Sequence, residues 1–428
     1  MKGRMVAALA AALAGLAVSG LAAQETPVEP LLAGTKLRFG GQLRARGESN
    51  NIQSYAASGL RRGQDLGLLR TRVNVEALPA AGVRVFAQLQ DSRTAGSEAS
   101  VASNEKNLDL RQGYLDLPEL WEWPVLLRVG RQELSYGDGR MISPLDWSNI
   151  GRAWDGVRLS GGPAQWRADL FVTKIKEVAG FKRDAWFSGL YGSCEAVPEH
   201  EFDAYMLFRD QGDGTLTAES GRKGNLAERT AGSRIRGKIG GADYSAEAAW
   251  QFGRIAGDQI RSYAGAATAG YTFETAWKPR VGIELDHGSG DKDPNDARRG
   301  AFEPLFPFAH IYQGQQDIFS WKNGEDWVFT TRAEPGGGWQ LQADYHWFRL
   351  AHGRDGWYDA LGGLIRRDAT GASGRKVGHE IDLTARVMLR KAVKLWFGVS
   401  RFWNSSYVKG TGGGGDRNWG FFQATVDF

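Results

Sequence analysis

The chain has 428 residues, a formal net charge of +4 and a mean hydropathy of −0.40. A charge this small does not indicate a nucleic-acid partner, and we expect none. Cys194 is the only cysteine, which excludes an internal disulfide and a cysteine-based metal site.

The first 23 residues predict a signal peptide. Lys2 and Arg4 precede an apolar run at 6–22, and small residues near its end suit cleavage. An N-terminal membrane anchor is the alternative, which the shortness of the run disfavours. Residues 24–428 are then the mature, exported chain. They contain no apolar stretch of about 18 residues, so they predict no transmembrane helix.

The mature chain alternates with period two. Within residues 69–77, small or apolar residues alternate with Arg70, Arg72, Asn74 and Glu76. The same alternation returns at 83–90, 166–173, 243–252 and 380–389. Successive side chains of a strand point to opposite faces, so each segment has one apolar and one charged face. A barrel with lipid outside and water inside has such strands, and its mean hydropathy is low.

The connections between these segments alternate in length. Short turns are predicted at 79–82, 161–164, 240–242, 335–338 and around Lys391. Long polar stretches are predicted at 49–64, 92–106, 136–150, 177–185, 210–228, 289–322, 351–376 and 404–416. Short turns on one side and long loops on the other are typical of outer-membrane barrels and count against a soluble β-sandwich. The chain also ends in an alternating segment with an aromatic last residue, Phe428.

We predict an all-β fold, a transmembrane antiparallel β-barrel of eighteen strands with short periplasmic turns and long extracellular loops. The strands are predicted at 36–48, 66–78, 83–92, 107–117, 125–135, 152–160, 165–176, 186–194, 200–209, 230–239, 243–255, 261–275, 279–288, 324–334, 339–350, 377–389, 393–403 and 418–428. The segment 186–194 is required as a strand, because without it the short turn at 240–242 would lie at the extracellular end, among the long loops. Closed bacterial barrels have an even number of strands, so sixteen stays open as the alternative. Barrels of this size leave an aqueous channel.

The charged face of the strands is predicted to line this channel, and arginine dominates it. The predicted inward residues are Arg70, Arg72, Glu76, Arg84, Arg128, Arg158, Arg167, Asp169, Arg234, Arg236, Lys238, Glu247, Glu284, Asp286, Arg332, Glu334, Asp344, His346, Glu380, Asp382 and Arg386. Rings of Arg and Lys select anions in pores, and guanidinium binds carboxylate bidentately. In the alternative interpretation, these charges only hold the barrel wall together by cross-strand ion pairs.

Residues 127–159 hold the densest group of charges. Arg131, Arg140 and Arg152 lie beside acidic residues, and Trp147 and Trp154 are candidates for stacking against sugar rings. The loop in this segment is interpreted as folding inward to narrow the pore. A rigid surface loop is the alternative.

Together with LLRTRV at 68–73, VRVFAQLQDSR at 83–93 and DLRQGYLDL at 109–117, this segment resembles the alginate-export family of outer-membrane proteins. The resemblance covers most of the mature chain and is strongest over 66–160. It implies a monomeric barrel of eighteen strands, and its best-known member exports alginate, a polyuronate, through an electropositive constriction. The positions that it marks as pore candidates are Arg70, Arg72, Arg111, Arg128, Arg131, Arg140, Arg152 and Arg158.

One weak metal candidate remains. Asp291, Asp293 and Asp296 in DKDPND are placed to hold calcium. The segment lacks the glycine and the distal glutamate of an EF-hand, so a plain polar loop is favoured. No nucleophile–base arrangement stands out, and we expect no catalytic residue and no cofactor.

These features predict an outer-membrane channel for anionic saccharides that exports an acidic polysaccharide such as alginate. The expected partners are outer-membrane lipid, the anionic poly- or oligosaccharide and, where delivery is assisted, a periplasmic export component. A general or solute-specific uptake porin is the alternative within transport. An outer-membrane enzyme with its site in the loops and an adhesive surface barrel are the alternatives from other classes.

Overall fold

A computed structural model describes residues 34–56, 61–79, 82–96, 108–119, 124–176 and 185–428. The predicted signal peptide, and parts of the predicted loops at 92–106 and 177–185, lie outside these residues. Among the described residues, no helix is long and apolar enough to cross a membrane.

Eighteen strands of the described chain form one closed antiparallel barrel. They are β1 (Lys36–Ser54), β2 (Arg61–Leu78), β3 (Arg84–Ala95), β4 (Asp109–Leu117), β5 (Val125–Gln132), β6 (Trp154–Gly161), β7 (Trp166–Lys176), β8 (Ala185–Cys194), β9 (His200–Thr217), β10 (Lys223–Ile239), β11 (Ala242–Ile255), β12 (Asp258–Thr272), β13 (Arg280–Gly288), β15 (Gly324–Gly336), β16 (Trp339–Leu350), β19 (Lys376–Arg390), β20 (Val393–Asn404) and β21 (Arg417–Asp427). Three short strands lie in the connections: β14 (Arg298–Arg299), β17 (Gly356–Tyr358) and β18 (Leu364–Arg367). The prediction of eighteen barrel strands, with the segment at 186–194 as β8, is confirmed.

The barrel closes between its first and last strands. β1 pairs with β21 in a register that runs from Gln42 opposite Asp427 to Asn50 opposite Trp419. The terminal Phe428 extends this ladder, because its N–H donates to the carbonyl of Gly41 at 3.0 Å. Closure has a physical cause, since each unpaired backbone group in hydrocarbon costs several kcal/mol and an open sheet edge would present a row of them.

Two predicted loops are shorter than expected. In the stretch 49–64, β1 continues to Ser54 and β2 begins at Arg61. The polar stretch 210–228 was expected to be a long connection, yet β9 continues to Thr217 and β10 begins at Lys223. Only a tight turn joins them, closed by the N–H of Ala218, which donates to the carbonyl of Arg222 at 2.9 Å. Strand pairing needs only backbone groups, so a hairpin that rises beyond the lipid continues without an apolar face and shows no period-two pattern.

The outer surface is apolar, as the alternation predicted. Leu69, Val73, Leu170 and Trp250 are 42%, 46%, 43% and 56% exposed, although they lie in regular strands. Residues between them, such as Arg70, are buried on the lumenal side. Large apolar side chains in this position suit lipid contact.

The two ends of the barrel differ. The short turns and both chain ends of the barrel lie at one end, which is the periplasmic end in this architecture. At the other end, the connection at 351–375 and a short helix, Ser406–Gly410, pack together around Trp357 and Tyr407, which are both fully buried. The extracellular end is therefore partly capped by packed structure.

Candidate functional site: the loop-filled lumen

The connection between β5 and β6, residues 133–153, folds into the barrel, and we call it the first inner loop. Leu134, Met141 and Ile142 are at most 3% exposed, in a cluster with inward-facing side chains of β7–β9, β11 and β12. Gly137 and Gly139 adopt positive φ of 54° and 78°, a conformation that strains other residues, and so allow the loop to turn back at its tip. The interpretation of this segment as an inward-folded loop is confirmed.

A second inner loop, residues 289–323, joins the first. The N–H of Phe306 donates to the carbonyl of Met141 at 3.0 Å, and the N–H of Ser143 donates to the carbonyl of Phe306 at 2.9 Å. These bonds form a short parallel bridge between the loops. The two inner loops therefore cross the lumen as one unit.

Arg140 fastens the first inner loop to the opposite wall. Its guanidinium donates to Oε1 of Glu284 at 2.6 Å and to Oδ1 of Asp286 at 2.9 Å, both on β13. The guanidinium carbon also lies 3.7 Å from the centroid of the Tyr312 ring, which belongs to the second inner loop. Arg140 is 4% exposed, so this is a buried, charge-assisted contact.

Five arginines line the lumen on β1, β2 and β4, and we call them the basic wall. They are Arg44, Arg46, Arg70, Arg72 and Arg111. All five are less than 9% exposed, and together they cover one side of the first inner loop.

Backbone carbonyls of the first inner loop accept six hydrogen bonds from the basic wall. Arg44 donates to the carbonyl of Asp146 at 2.6 Å, and Arg70 donates to the same oxygen at 3.0 Å. Arg72 pairs instead with the Asp146 carboxylate, at 2.9 Å. Although desolvation opposes it, these guanidiniums hold the pKa of Asp146 below its ordinary value, so this carboxylate stays ionised.

The charge of the basic wall is only partly balanced. Its carboxylate partners are Asp146, Glu48 at 2.7 Å from Arg46, and Glu133 at 2.8 Å from Arg111. Carbonyl oxygens satisfy guanidinium donors without cancelling their charge. Five arginines facing three carboxylates leave this side of the lumen net positive.

The opposite side of the lumen is acidic. The acidic wall consists of Glu284, Asp286, Asp326, Glu380 and Asp382, on β13, β15 and β19. Backbone N–H groups of the second inner loop bind it: Gln315 donates to Asp382, and Gln316 donates to Glu380, each at 3.1 Å. The first inner loop thus presents carbonyls to the basic wall and the second presents amides to the acidic wall, so each wall holds the loop whose backbone complements its charge.

The family model for alginate export matches residues 35–418. The chain belongs to the alginate export family. The comparison with curated proteins found no match to this chain. Its fold is similar to solved structures from Pseudomonas aeruginosa. OccK11 (OpdR) has a TM-score of 0.58 and 14% identity, over 91% of this chain and 96% of that one. OpdQ has a TM-score of 0.59 and 11% identity, over 93% and 99%. At such identities the likeness shows the fold alone.

The two tryptophans singled out in the sequence are not open to a sugar in this family member. One face of Trp147 stacks on His310 at 3.9 Å, and the guanidinium carbon of Arg46 lies 3.8 Å from its ring centroid. Trp154 is 3% exposed and packs edge-on against Phe306. Both side chains anchor the inner loops instead of presenting a free ring face.

The predicted arginines of β5 and β6 divide between the two faces of the barrel. Arg128 faces the lumen, where its Nε and Nη2 donate to the two oxygens of Asp116 at 2.6 and 2.8 Å. Arg158 lies opposite Arg128 on β6. Arg131 is three residues from Arg128 on β5 and so points outward, pairing with Asp155 near the extracellular end. The expectation that Arg131 lines the lumen is wrong, because the odd spacing puts it on the other face.

The remaining predicted arginines lie in the lumen in different settings. Arg234 is buried between Asp138 and Asp203, and Arg236 is 55% exposed beside Glu201. Arg152 donates to the carbonyl of Pro307 at 2.9 Å and so ties the two inner loops together. Arg386 is exposed to the lumen over Trp396.

Sequence reasoning missed Arg44 and Arg46, which belong to the basic wall. The signal was available, since both lie in the predicted strand 36–48, and they alternate there with Leu43 and Ala45. Period two therefore assigns both arginines to the inner face of the strand.

The structure brings together a different set of carboxylates from the three predicted calcium candidates. Asp291 and Asp296 meet Glu219 from the β9–β10 turn, with one oxygen of each within 4.8 Å of the others. Asp293 accepts instead from the N–H of Asn295 at 3.2 Å. Burial, with Asp291 as hydrogen-bond partner and negative neighbour, raises the pKa of Glu219 to about 9. The group therefore shares a proton at neutral pH.

This shared proton predicts a pH-sensitive contact. The pKa of Glu219 is raised in the fold, so its stabilising contribution is present at low pH and is lost as pH rises toward about 9. We expect trypsin cleavage after Lys292 to accelerate between pH 7 and pH 10 in the wild type, and less so in Glu219→Gln. Equal acceleration in both proteins would show that the contact does not depend on Glu219.

Proposed function

We propose that this barrel is a channel for anionic saccharides and that its cargo is an acidic polysaccharide leaving the cell. The observation that carries the proposal is the partly balanced basic wall, in which five arginines face three carboxylates. Although the first inner loop covers these arginines, the electrostatic field of their net positive charge along β1, β2 and β4 lowers the barrier for a carboxylate-bearing chain in a water-filled lumen. Membership of the alginate export family supports the same cargo class.

The opposed walls also suit passage of a polymer. A polyanion is attracted to the basic wall and not to the acidic wall, so it is oriented across the lumen without being trapped. Conduction needs sites that are favourable enough to enter and weak enough to leave. The covered guanidiniums of the basic wall act on the polymer through their field and not by direct contact, so the attraction is weak and spread along the lumen.

The proposal predicts anion preference. In a planar bilayer under a KCl gradient, the reversal potential of the wild-type channel should indicate a greater permeability for chloride than for potassium. A uronate oligosaccharide should reduce the current, and a neutral oligosaccharide of equal length should not. A reversal potential of the opposite sign would contradict the proposal and leave the barrel assignment intact.

Uptake of a small anionic solute is the second candidate. The interlocked inner loops favour it, because a bridge between Phe306 and Met141 leaves less room than an open barrel. The two candidates differ in the size of the cargo. Liposomes that hold the protein should pass uronate polymers if the channel exports them, and only short oligomers if it serves small solutes.

A further inference from the structure

Two arginines in the lumen form no salt bridge with any residue that the structure describes. Arg332 on β15 and Arg386 on β19 are both exposed, and neither has a hydrogen bond or ion pair to any residue in the described part of the chain. Arg128, by contrast, is held by both oxygens of Asp116. An unpaired guanidinium keeps all five of its donors available to a ligand.

Both side chains belong to the lumenal face and to one patch. Arg332 is six residues from Asp326, and Arg386 is four from Asp382, so each shares the face of an acidic-wall residue. On β16, the strand between them, Arg332 lies opposite Gln342 and Arg386 lies opposite Gln340. The two arginines are separated by two strand spacings of about 4.8 Å each and by an offset of two residues along the strands. Their Cα atoms are therefore about 12 Å apart.

The patch lies just beneath the inner loops, on their periplasmic side. The guanidinium carbon of Arg386 is 3.9 Å from the centroid of the Trp396 ring. Trp396 in turn packs edge-on against Trp147 of the first inner loop, with the ring centroids 5.1 Å apart. β19 runs from the extracellular to the periplasmic end, so a solute that comes from the periplasm meets Arg386 before it meets the loop.

The chemistry of the patch fits an acidic sugar. Two like charges at this spacing repel each other, and an anion placed between them removes that cost. Asp344, a carboxylate on the same face, offsets part of this repulsion from a distance, but it accepts its hydrogen bond from Nε2 of Gln342 at 2.6 Å and forms no salt bridge with either arginine. The two guanidiniums can bind a carboxylate, Gln340 and Gln342 offer amides to hydroxyl groups, and Trp396 supplies an apolar edge.

We propose that Arg332, Arg386 and Trp396 form the binding site at which a carboxylate-bearing sugar is first held on the periplasmic side of the inner loops. This site deepens the proposed function and rests on it for the direction of travel. It differs from the basic wall in that its arginines have no partner to release before they bind.

Calorimetric titration of the detergent-solubilised full chain tests the site. A uronic-acid trisaccharide is the ligand, and a neutral trisaccharide is the ligand control. We expect the affinity for the uronate to fall about tenfold in Arg332→Gln and in Arg386→Gln, as when one charge-assisted hydrogen bond is lost. Arg386→Lys should bind with intermediate affinity, because the charge stays and the bidentate fork is lost.

Arg167→Gln is the matched control variant. Arg167 lies on β7, on the other side of the barrel from the patch, and like the patch it is near the periplasmic end. It is 61% exposed, but it forms a salt bridge with Asp169 of the same strand. Its affinity should stay at the wild-type value, and far-ultraviolet circular dichroism should be unchanged in every variant. The conservative Arg386→Lys keeps the test valid if a glutamine variant fails to fold.

The outcomes separate this site from the proposed function. If wild type binds no uronate, or if the double variant Arg332→Gln/Arg386→Gln binds it as well as wild type, the site is overturned. An anion-selective channel with unchanged binding would leave the proposed function standing without this site. A cation-selective channel that loses uronate binding in the double variant would keep the site and remove the proposed function.

Discussion

Arg140→Gln should raise the single-channel conductance several-fold. The substitution removes the cation that two carboxylates of β13, Glu284 and Asp286, share at 2.6 and 2.9 Å. Removing one partner of a buried pair costs about 3–5 kcal/mol, because the remaining charge is left without compensation. Backbone hydrogen bonds between neighbouring strands hold the barrel together. We therefore expect the substitution to destabilise the position of the first inner loop, which then leaves the lumen. Recordings in planar bilayers measure the effect.

Arg236→Gln is the control for this experiment. Arg236 also contacts the first inner loop, through Asp138 at 3.7 Å, but it is 55% exposed. Exposed pairs contribute about 0–1 kcal/mol, so its conductance should match the wild type. Adding Asp286→Asn to Arg140→Gln should restore part of the closure, since the two amides can form a hydrogen bond and Glu284 is then the only one of the two carboxylates left without its cation. If the conductance of Arg140→Gln equals that of the wild type, Arg140 does not hold the loop in the lumen.

Two substitutions at one ion pair should shift the ion preference in opposite directions. Asp146→Asn removes the carboxylate that lies 2.9 Å from Arg72 and leaves the basic wall one charge more positive. Arg72→Gln leaves it one charge less positive. The chloride-to-potassium permeability ratio should therefore rise several-fold in the first variant and fall several-fold in the second. The reversal potential in a KCl gradient measures both ratios.

The opposite signs make this pair of variants informative. Both break the same contact between β2 and the first inner loop, so loosening of the loop alone would move the two ratios in the same direction. Arg131→Gln is the control, because Arg131 is on the outer face with Asp155 and should not change the ratio. Equal shifts in both variants would contradict the electrostatic role of the basic wall.

Much of the candidate site was within reach of the sequence. Period two assigns Arg70 and Arg72 to the lumen, and the even-strand rule and turn lengths lead to eighteen strands. Period two also places Arg128 and Arg131 on opposite faces of β5, whereas the resemblance to the family groups both as pore residues. Arg44 and Arg46 follow the rule as well, so their omission was not due to a missing signal.

Contacts between distant segments could not be read from the sequence. Arg140 and Glu284 are separated by 144 residues, and their pairing depends on how far the first inner loop reaches across the lumen. Trp147 carries the residue type of a sugar-stacking site, yet His310 and Arg46 cover its ring because the second inner loop arrives from another part of the chain. Glu219 joins Asp291 and Asp296 only because the β9–β10 hairpin extends as far as Thr217.

The sequence by itself determined the barrel, its strand number and which residues face the lumen, because the alternation of a strand is local and lipid on one side enforces it. Only the tertiary structure decided which lumenal charges are balanced. The inner loops use backbone carbonyls and amides to satisfy the walls, and every residue type carries those groups. Side-chain patterns therefore do not show where such loops bind, and the absence of a salt bridge at Arg332 and Arg386 depends on which side chains the folded barrel places beside them.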